Sequence, residues 1–528
     1  MKRSTALLLW IFGLIYTFPV FNKYWAPFDE GIIVVAAQRL LAGEIPYRDF
    51  FIVMYPPGQI YVLAGLFKLF SCSLIAGRIY AVLVSVAIAV ATFFITRKLT
   101  KNTLSSIAAY VIMLTSLAPR LGAIPAPIWP GILLALLTLY LFIVYLERPS
   151  LLVITATGLM AGVTFFFRHD IGLSVVAAVF ISLLLRLFNV KSIKPIILFV
   201  LGALMVTLPW VLYFVNMSAG KDLYDSLIAF TFVHAKTATI NLPVPCFDLN
   251  MIFHKSLYFI NVNQFYIPLI AYAWIACLLL SRFFKKRALD ARGLGLFALL
   301  CFGAITYKEA AVRADPAHLL AMIAPAVIIS AYIASDAFSA GFRRRAADIL
   351  KYAVSIVLIF LFALLVVKNT DKYIKNGFTK VFKKDTIKTG FDKGTIYVPA
   401  DEQSDILGVI KYIKENSALG ERIYIGNTAH WKDDFGGSLI IYYLADRLPS
   451  TKYYELLPGL VTDKFVQNET IKSLDSHRVR LLILQDVDVS GIRKQDAPQG
   501  SLALDDFIAA NYHQVDKMGK FNIYNRAE

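Results

Sequence analysis

The chain has 528 residues, 58% of them hydrophobic and 17% charged, with a mean hydropathy of +0.63. Soluble domains carry about 25% charge and 45–50% apolar residues, so a cytosolic enzyme of ordinary composition is excluded, and 39 Phe, 27 Tyr and 6 Trp exclude a disordered chain. The net charge of +17 sits in one part: residues 1–368 hold 31 Lys+Arg against 14 Asp+Glu, while residues 369–528 hold 22 of each.

A helix needs about 20 apolar residues to cross a bilayer. Runs of that kind predict spans at 5–21, 74–96, 103–118, 128–146, 150–167, 171–188, 195–215, 263–281, 293–307, 317–335 and 350–367. Basic residues cluster in every second connection: Lys2-Arg3, Arg97 to Lys101, Arg148, Arg186 to Lys194, Arg282 to Arg292 and Arg343 to Lys351. By the positive-inside rule these connections are cytoplasmic. The N-terminus is then inside and an odd number of spans puts the C-terminal part outside. The basic excess reads as topology, and no nucleic-acid partner is needed. The first span lacks a small-residue cleavage site and reads as an uncleaved anchor. Cys72, Cys246, Cys277 and Cys301 show no metal spacing and read as free thiols, with a Cys72–Cys246 pairing as the alternative.

The reactive side chains map to the outer side. In the exterior loop 22–73, Asp29-Glu30-Gly31 opens an apolar stretch to Ala42 that is too short to span, and a second short helix is expected at 59–70. Both are expected to lie in the membrane interface. Asp29 is a candidate catalytic carboxylate with Glu30 beside it; as a structural alternative it caps the helix, with Glu30 favourably placed in the first turn. The turn Arg168-His169-Asp170 carries three ionisable groups between two spans. A long exterior loop, 217–262, holds His234 and His254 without ligand spacing. In Arg313-Ala314-Asp315-Pro316-Ala317-His318, Asp315 and Pro316 read as a helix cap and first turn, with His318 on the same side.

The order Asp29-Glu30-Gly31, Ala36 to Gly43, Pro46-Tyr47-Arg48-Asp49, Pro56-Pro57-Gly58 and Gly77-Arg78 resembles the first luminal loop of GT-C glycosyltransferases. The similarity is to the bacterial protein-O-mannosyltransferase-like branch, with its aminoarabinose transferases and rhizobial galacturonosyltransferases. It covers about residues 1–200 by motif and the rest by architecture. It implies a glycosyltransferase of the bacterial inner membrane that uses a polyprenyl-phosphate-linked sugar on the periplasmic face. It puts Asp29 at the catalytic centre and leaves open a divalent cation at the first-loop carboxylates. The acceptor would be an envelope glycan, a lipid or a protein. A departing phosphate needs cations: Arg168 and Arg313 first, then Arg48 and Lys308. Asp170, His318, Asp315 and Arg78 complete the candidate set.

In the C-terminal part, strands are expected at Thr395 to Val398, Arg422 to Ile425 and Arg480 to Leu484, and helices at 402–416, 436–446 and 502–511. The expected fold class is therefore a polytopic α-helical membrane protein of about eleven spans, with a transmembrane catalytic domain over 1–368 and an exterior α/β domain over 369–528. The competing function is a transporter or flippase of lipid-linked saccharide; span interiors nearly free of charge argue against it.

Overall fold

The computed structural model describes residues 3–117, 124–232, 239–248, 250–285, 288–339, 346–432, 437–487 and 500–527. His234, Lys2, Lys286, Arg287, Arg343 to Arg345 and Gly436 lie outside them.

Each of the eleven apolar runs forms a helix. They are α1 (Arg3–Thr17), then α4 (Leu74–Thr100), α5 (Thr103–Leu117), α6 (Ile128–Glu147), α7 (Leu151–Phe167), α8 (His169–Val190) and α9 (Lys194–Asn216), followed by Ile267–Phe284, Ala291–Thr306, Ala324–Ser339 and Ala346–Ile374. Between α1 and α4 lie α2 (Asp29–Leu41) and α3 (Gly58–Leu69). Among the described residues, seven helices are long and apolar enough to cross a membrane unaided, while α1, α5, α7 and Ala324–Ser339 are shorter. The run expected at 317–335 is broken into Pro316–Met322 and Ala324–Ser339. Pro325 explains the break, since a proline removes an amide donor and its ring collides with the carbonyl four residues back.

Small residues draw α7 and α9 together. A Cβ on Gly158 would fall 2.1 Å from the Phe199 carbonyl oxygen. This is the close approach expected where helices meet without a hydrophobic drive between them. It fixes α7, and with it the Arg168 turn that leads into α8.

The expected boundary at 369 is not a break in the helix. Ala346–Ile374 runs on through one wide turn, Lys375–Thr379, to Phe382. Two sheets follow. The hairpin β1 (Thr386–Phe391) and β2 (Gly394–Pro399) is tied to both ends of the first loop: the Leu74 amide donates to the Lys393 carbonyl at 2.8 Å and the Tyr397 amide to the Asn22 carbonyl at 3.0 Å. The second sheet has the order β4-β3-β5-β7-β6, where β3 is Arg422–Asn427, β4 Leu448–Pro449, β5 Leu481–Gln485, β6 Tyr512–Met518 and β7 Phe521–Arg526. The strands β4, β3 and β5 are parallel, and β7 and β6 antiparallel. The three expected strands and three expected helices are present; β1, β4, β6, β7 and the helix Lys464–Ser476 were not foreseen.

One apolar core joins this domain to the first loop. Ile32 to Ala37 of α2 pack with Ile423, Ile425 and Leu439 to Ala445. The contact is backbone-close: a Cβ on Gly31 would lie 2.4 Å from the Ile440 amide nitrogen, and that amide donates to the Pro27 carbonyl at 2.9 Å. So α2 does not present a polar face to water, as an interfacial helix would. Arg39 is buried, donating to the Thr451 carbonyl at 2.7 Å and the Asp49 carbonyl at 3.0 Å and pairing with Glu44 at 2.5 Å. Helix α3 keeps an apolar exposed side with Tyr61, Leu69 and Phe70. All four cysteines are free thiols.

Candidate active site at the loop and domain junction

Helix α2 starts at Asp29, and Phe28 is its N-cap. Asp29 therefore sits in the first turn instead of capping it. The helix turns its two leading carboxylates apart: Asp29 is exposed and Glu30 is buried. Glu30 accepts Arg78 Nε at 2.9 Å and Nη2 at 2.6 Å, and Arg78 Nη2 also donates to the Tyr24 carbonyl at 2.8 Å. The sequence pattern put Glu30 and Arg78 among the site candidates; the structure joins them in a buried ion pair that anchors α2 to α4.

That pairing bears on a metal. Two free carboxylates at the head of α2 would suit a divalent cation, but Glu30 gives both oxygens to Arg78. Among the described residues no group of three or more His, Cys, Asp or Glu side chains is arranged to hold one. Among the described residues, the head of α2 does not fit a metal centre.

Arg168 is the N-cap residue of α8, in extended conformation. Its Nε and Nη2 donate to the two oxygens of Asp170 at 2.8 and 2.5 Å. Burial opposes the guanidinium charge, but Asp170 more than offsets this and holds the Arg168 pKa above the usual arginine value. Helix α6 makes room for it at Gly131, where a Cβ would lie 3.0 Å from Arg168 Cβ and Cγ. The guanidinium carbon stands 5.3 Å from the centre of the Tyr55 ring, a cation–π contact.

Tyr55 is the meeting point, and sequence reasoning missed it. Its hydroxyl feels the charges of Arg168, Glu455, Asp29 and Asp170; burial first, then the three carboxylates, push its pKa up against the opposing pull of Arg168. The backbone there is held from behind by the Tyr47 hydroxyl, which donates to the Tyr55 carbonyl at 2.7 Å. The only sequence signal for Tyr55 was its place just before Pro56-Pro57-Gly58. Glu455 comes from the C-terminal domain, some 400 residues away, and carried no motif.

The remaining candidates lie at varying distance from this centre. Lys308, mostly exposed, is near enough to His169 for its charge to act there, and Glu309 acts likewise on Arg168. Arg313 Nε donates to Asp315 Oδ2 at 2.9 Å, and its backbone forms a β-bridge with Ile240 of the long loop. Asp315 accepts the Ala317 and His318 amides at 2.9 and 3.0 Å, as its capping role requires, and meets His318 Nδ1 at 2.8 Å. Burial raises the Asp315 pKa, but His318 and Arg313 outweigh it and hold the carboxyl at about 2. Arg48 is turned to solvent and paired with its neighbour Asp49 at 2.8 and 2.9 Å.

Residues 55–213 match the family model described as dolichyl-phosphate-mannose-protein mannosyltransferase. No curated protein matches the chain in sequence. In fold, the chain is similar to ArnT from Cupriavidus metallidurans bound to undecaprenyl phosphate, at 12% identity over 99% of this chain and 98% of that one, with a TM-score of 0.52. It is similar also to the apo state of that protein, at 13% identity over 99% and 96%, with a TM-score of 0.50. A mannosyltransferase family model thus matches residues 55–213, and the chain shares the fold of the ArnT structures from end to end.

Proposed function

We propose that the chain transfers a sugar from a polyprenyl-phosphate donor to an acceptor hydroxyl on the periplasmic face of a bacterial inner membrane. The observation that carries this reading is the stacking of the guanidinium Arg168 on Tyr55, a tyrosine that the charge of the exposed carboxylate Asp29 also reaches. A carboxylate and a cation within electrostatic reach of one residue beside a membrane bundle suit the two ends of a glycosyl transfer. The bound lipid phosphate of the ArnT relative supports the choice of donor.

In this reading Asp29 takes the proton of the acceptor hydroxyl as its oxygen bonds to the anomeric carbon. The bond from that carbon to the phosphate oxygen breaks, and both its electrons leave with the polyprenyl phosphate. Arg168 and Arg313 receive that phosphate, with Lys308 at the rim and Arg48 further out. Asp170 and Asp315 orient the two guanidiniums, while His318 completes the Asp315 cluster. Glu30 and Arg78 hold α2 in place and do not touch the reactants.

The test compares membranes holding wild type or Asp29→Asn at equal levels, supplied with a panel of labelled polyprenyl-phosphate sugars. Loss of at least about 100-fold in transfer is expected from removing a general base. Transfer at the wild-type rate would overturn the assignment. For sidedness, a C-terminal reporter active only outside the cytoplasm is expected to be active; a reporter active only inside would reverse the orientation.

A further inference from the structure

The C-terminal domain sends one carboxyl group into the back of this site. Glu455 is 1% exposed, and both its oxygens lie 3.4 Å from the Val53 amide nitrogen, two residues before Tyr55. The segment that carries Tyr55 is clamped here on two sides. The Phe51 amide donates to the Lys452 carbonyl at 3.0 Å, and the Ser226 hydroxyl donates to the Ile52 carbonyl. Met54, between Val53 and Tyr55, is forced to a φ of +59°, which a side chain of its kind seldom adopts. Such strain persists only where the surroundings impose it.

No cation pairs with Glu455 among the described residues. The groups whose charges meet it are tyrosines: Tyr454 beside it, and Tyr47 and Tyr55 from the first loop. On its other side is a cavity of about 10 Å³, roughly the space of one water. Tyr424 of β3 forms part of the far wall, and its hydroxyl is 2.8 Å from His430 Nε2, while His430 Nδ1 is 2.8 Å from Asp505. The arginines over the neighbouring tyrosine rings are already held, Arg39 at Tyr454 by Glu44 and Arg168 at Tyr55 by Asp170. A buried carboxyl with no counter-charge is stable as the neutral acid. Burial indeed pushes the Glu455 pKa up to about 8, against the opposing pull of the Val53 amide and Tyr454.

We propose that Glu455 is a positioning residue: as a neutral acid it anchors Val53 and sets Tyr55 under Arg168 for the lipid phosphate, and as an anion it repels that phosphate. This rests on the donor reading above. It makes the exterior domain part of the donor site and gives that site a built-in sensitivity to alkaline conditions. Glu455 touches no reactant; it acts through Val53 and Tyr55 and, once ionised, through its charge.

The test is direct binding of a C55 polyprenyl phosphate to the purified full-length protein between pH 7 and 9.5, a range that starts about one unit above the second pKa of a phosphate monoester. Wild type is expected to lose about tenfold in affinity over this range, equivalent to a shift of about one unit in the Glu455 pKa on binding. Glu455→Gln, which is neutral at every pH, is expected to match wild type at pH 7 and to stay flat. Glu455→Leu, neutral but unable to accept the Val53 amide, is expected to bind more weakly throughout. An equal pH dependence in Glu455→Gln, or wild-type binding by Glu455→Leu, would overturn the proposal. If Arg168→Ala binds as wild type does, the donor reading itself fails, independently of Glu455.

Discussion

Glu30 and Arg78 form a two-pronged ion pair, 2.9 and 2.6 Å, from which solvent is shut out on both sides. The pair joins the first turn of α2 to α4, and so places Asp29, one residue earlier. Removing one partner strands a buried charge, at a cost of about 3–5 kcal/mol, whereas replacing both by apolar side chains is often neutral. Glu30→Ala and Arg78→Ala are therefore expected to lower the Tm of the purified protein sharply, and Glu30→Met with Arg78→Met to recover most of it. A double-mutant cycle on Tm measures the coupling.

Arg168 is bidentate to Asp170 and stacked on Tyr55, and a lysine satisfies neither geometry. Arg168→Lys is expected to raise the donor KM by about tenfold or more with little change in Tm. Tyr55→Phe keeps the ring under the guanidinium and should change the donor KM far less than Tyr55→Ala. Initial-rate kinetics at varied donor concentration check both.

Asp315 does two jobs that substitution can separate. Asp315→Asn retains a capping acceptor, so its helix should lose only a few tenths of a kcal/mol. The charge that holds Arg313 and His318 is gone, and donor affinity is expected to fall. Asp315→Ala loses the cap as well, about 1 kcal/mol more, and should show a lower Tm besides weaker binding.

The Glu455 pKa also has a consequence for stability. The folded state keeps the proton up to about pH 8, whereas an exposed glutamate releases it near its ordinary value of 4.5. Between those two values the folded chain holds more protons than the unfolded one, so stability falls as pH rises. The contribution is complete below pH 4.5 and gone above about 8. Glu455→Gln removes this slope and is expected to be more stable than wild type at pH 7.5, by a few kcal/mol at most. Thermal unfolding of both proteins from pH 5 to 9 is the measurement.

The spans were legible because crossing a membrane demands a local property, apolar length, that no distant contact can replace. Asp29 and the Arg168 turn stand out in the sequence because ionisable groups are conspicuous beside such runs. Glu30 was misplaced for a physical reason: adjacent helical residues differ by about 100° in direction, so one can face solvent and the other the bundle. The burial of α2 was hidden, because the residues that cover it, Leu439 to Ala445, come some 400 positions later. Tyr55 and Glu455 depend on that same long-range contact, and no local pattern reports it.

The seam between α2 and the helix Ile440–Ala445 sets an order of events during synthesis. A ribosome adding about 5–20 residues per second delivers Ile440 roughly 20–80 s after Gly31 has emerged. Throughout that delay the first loop waits on the membrane surface with Ile32 to Val35 uncovered. Maturation of the site thus comes late in biogenesis, and a chain cut short before Leu439 would leave Ile32 to Val35 uncovered as an apolar signal for proteases.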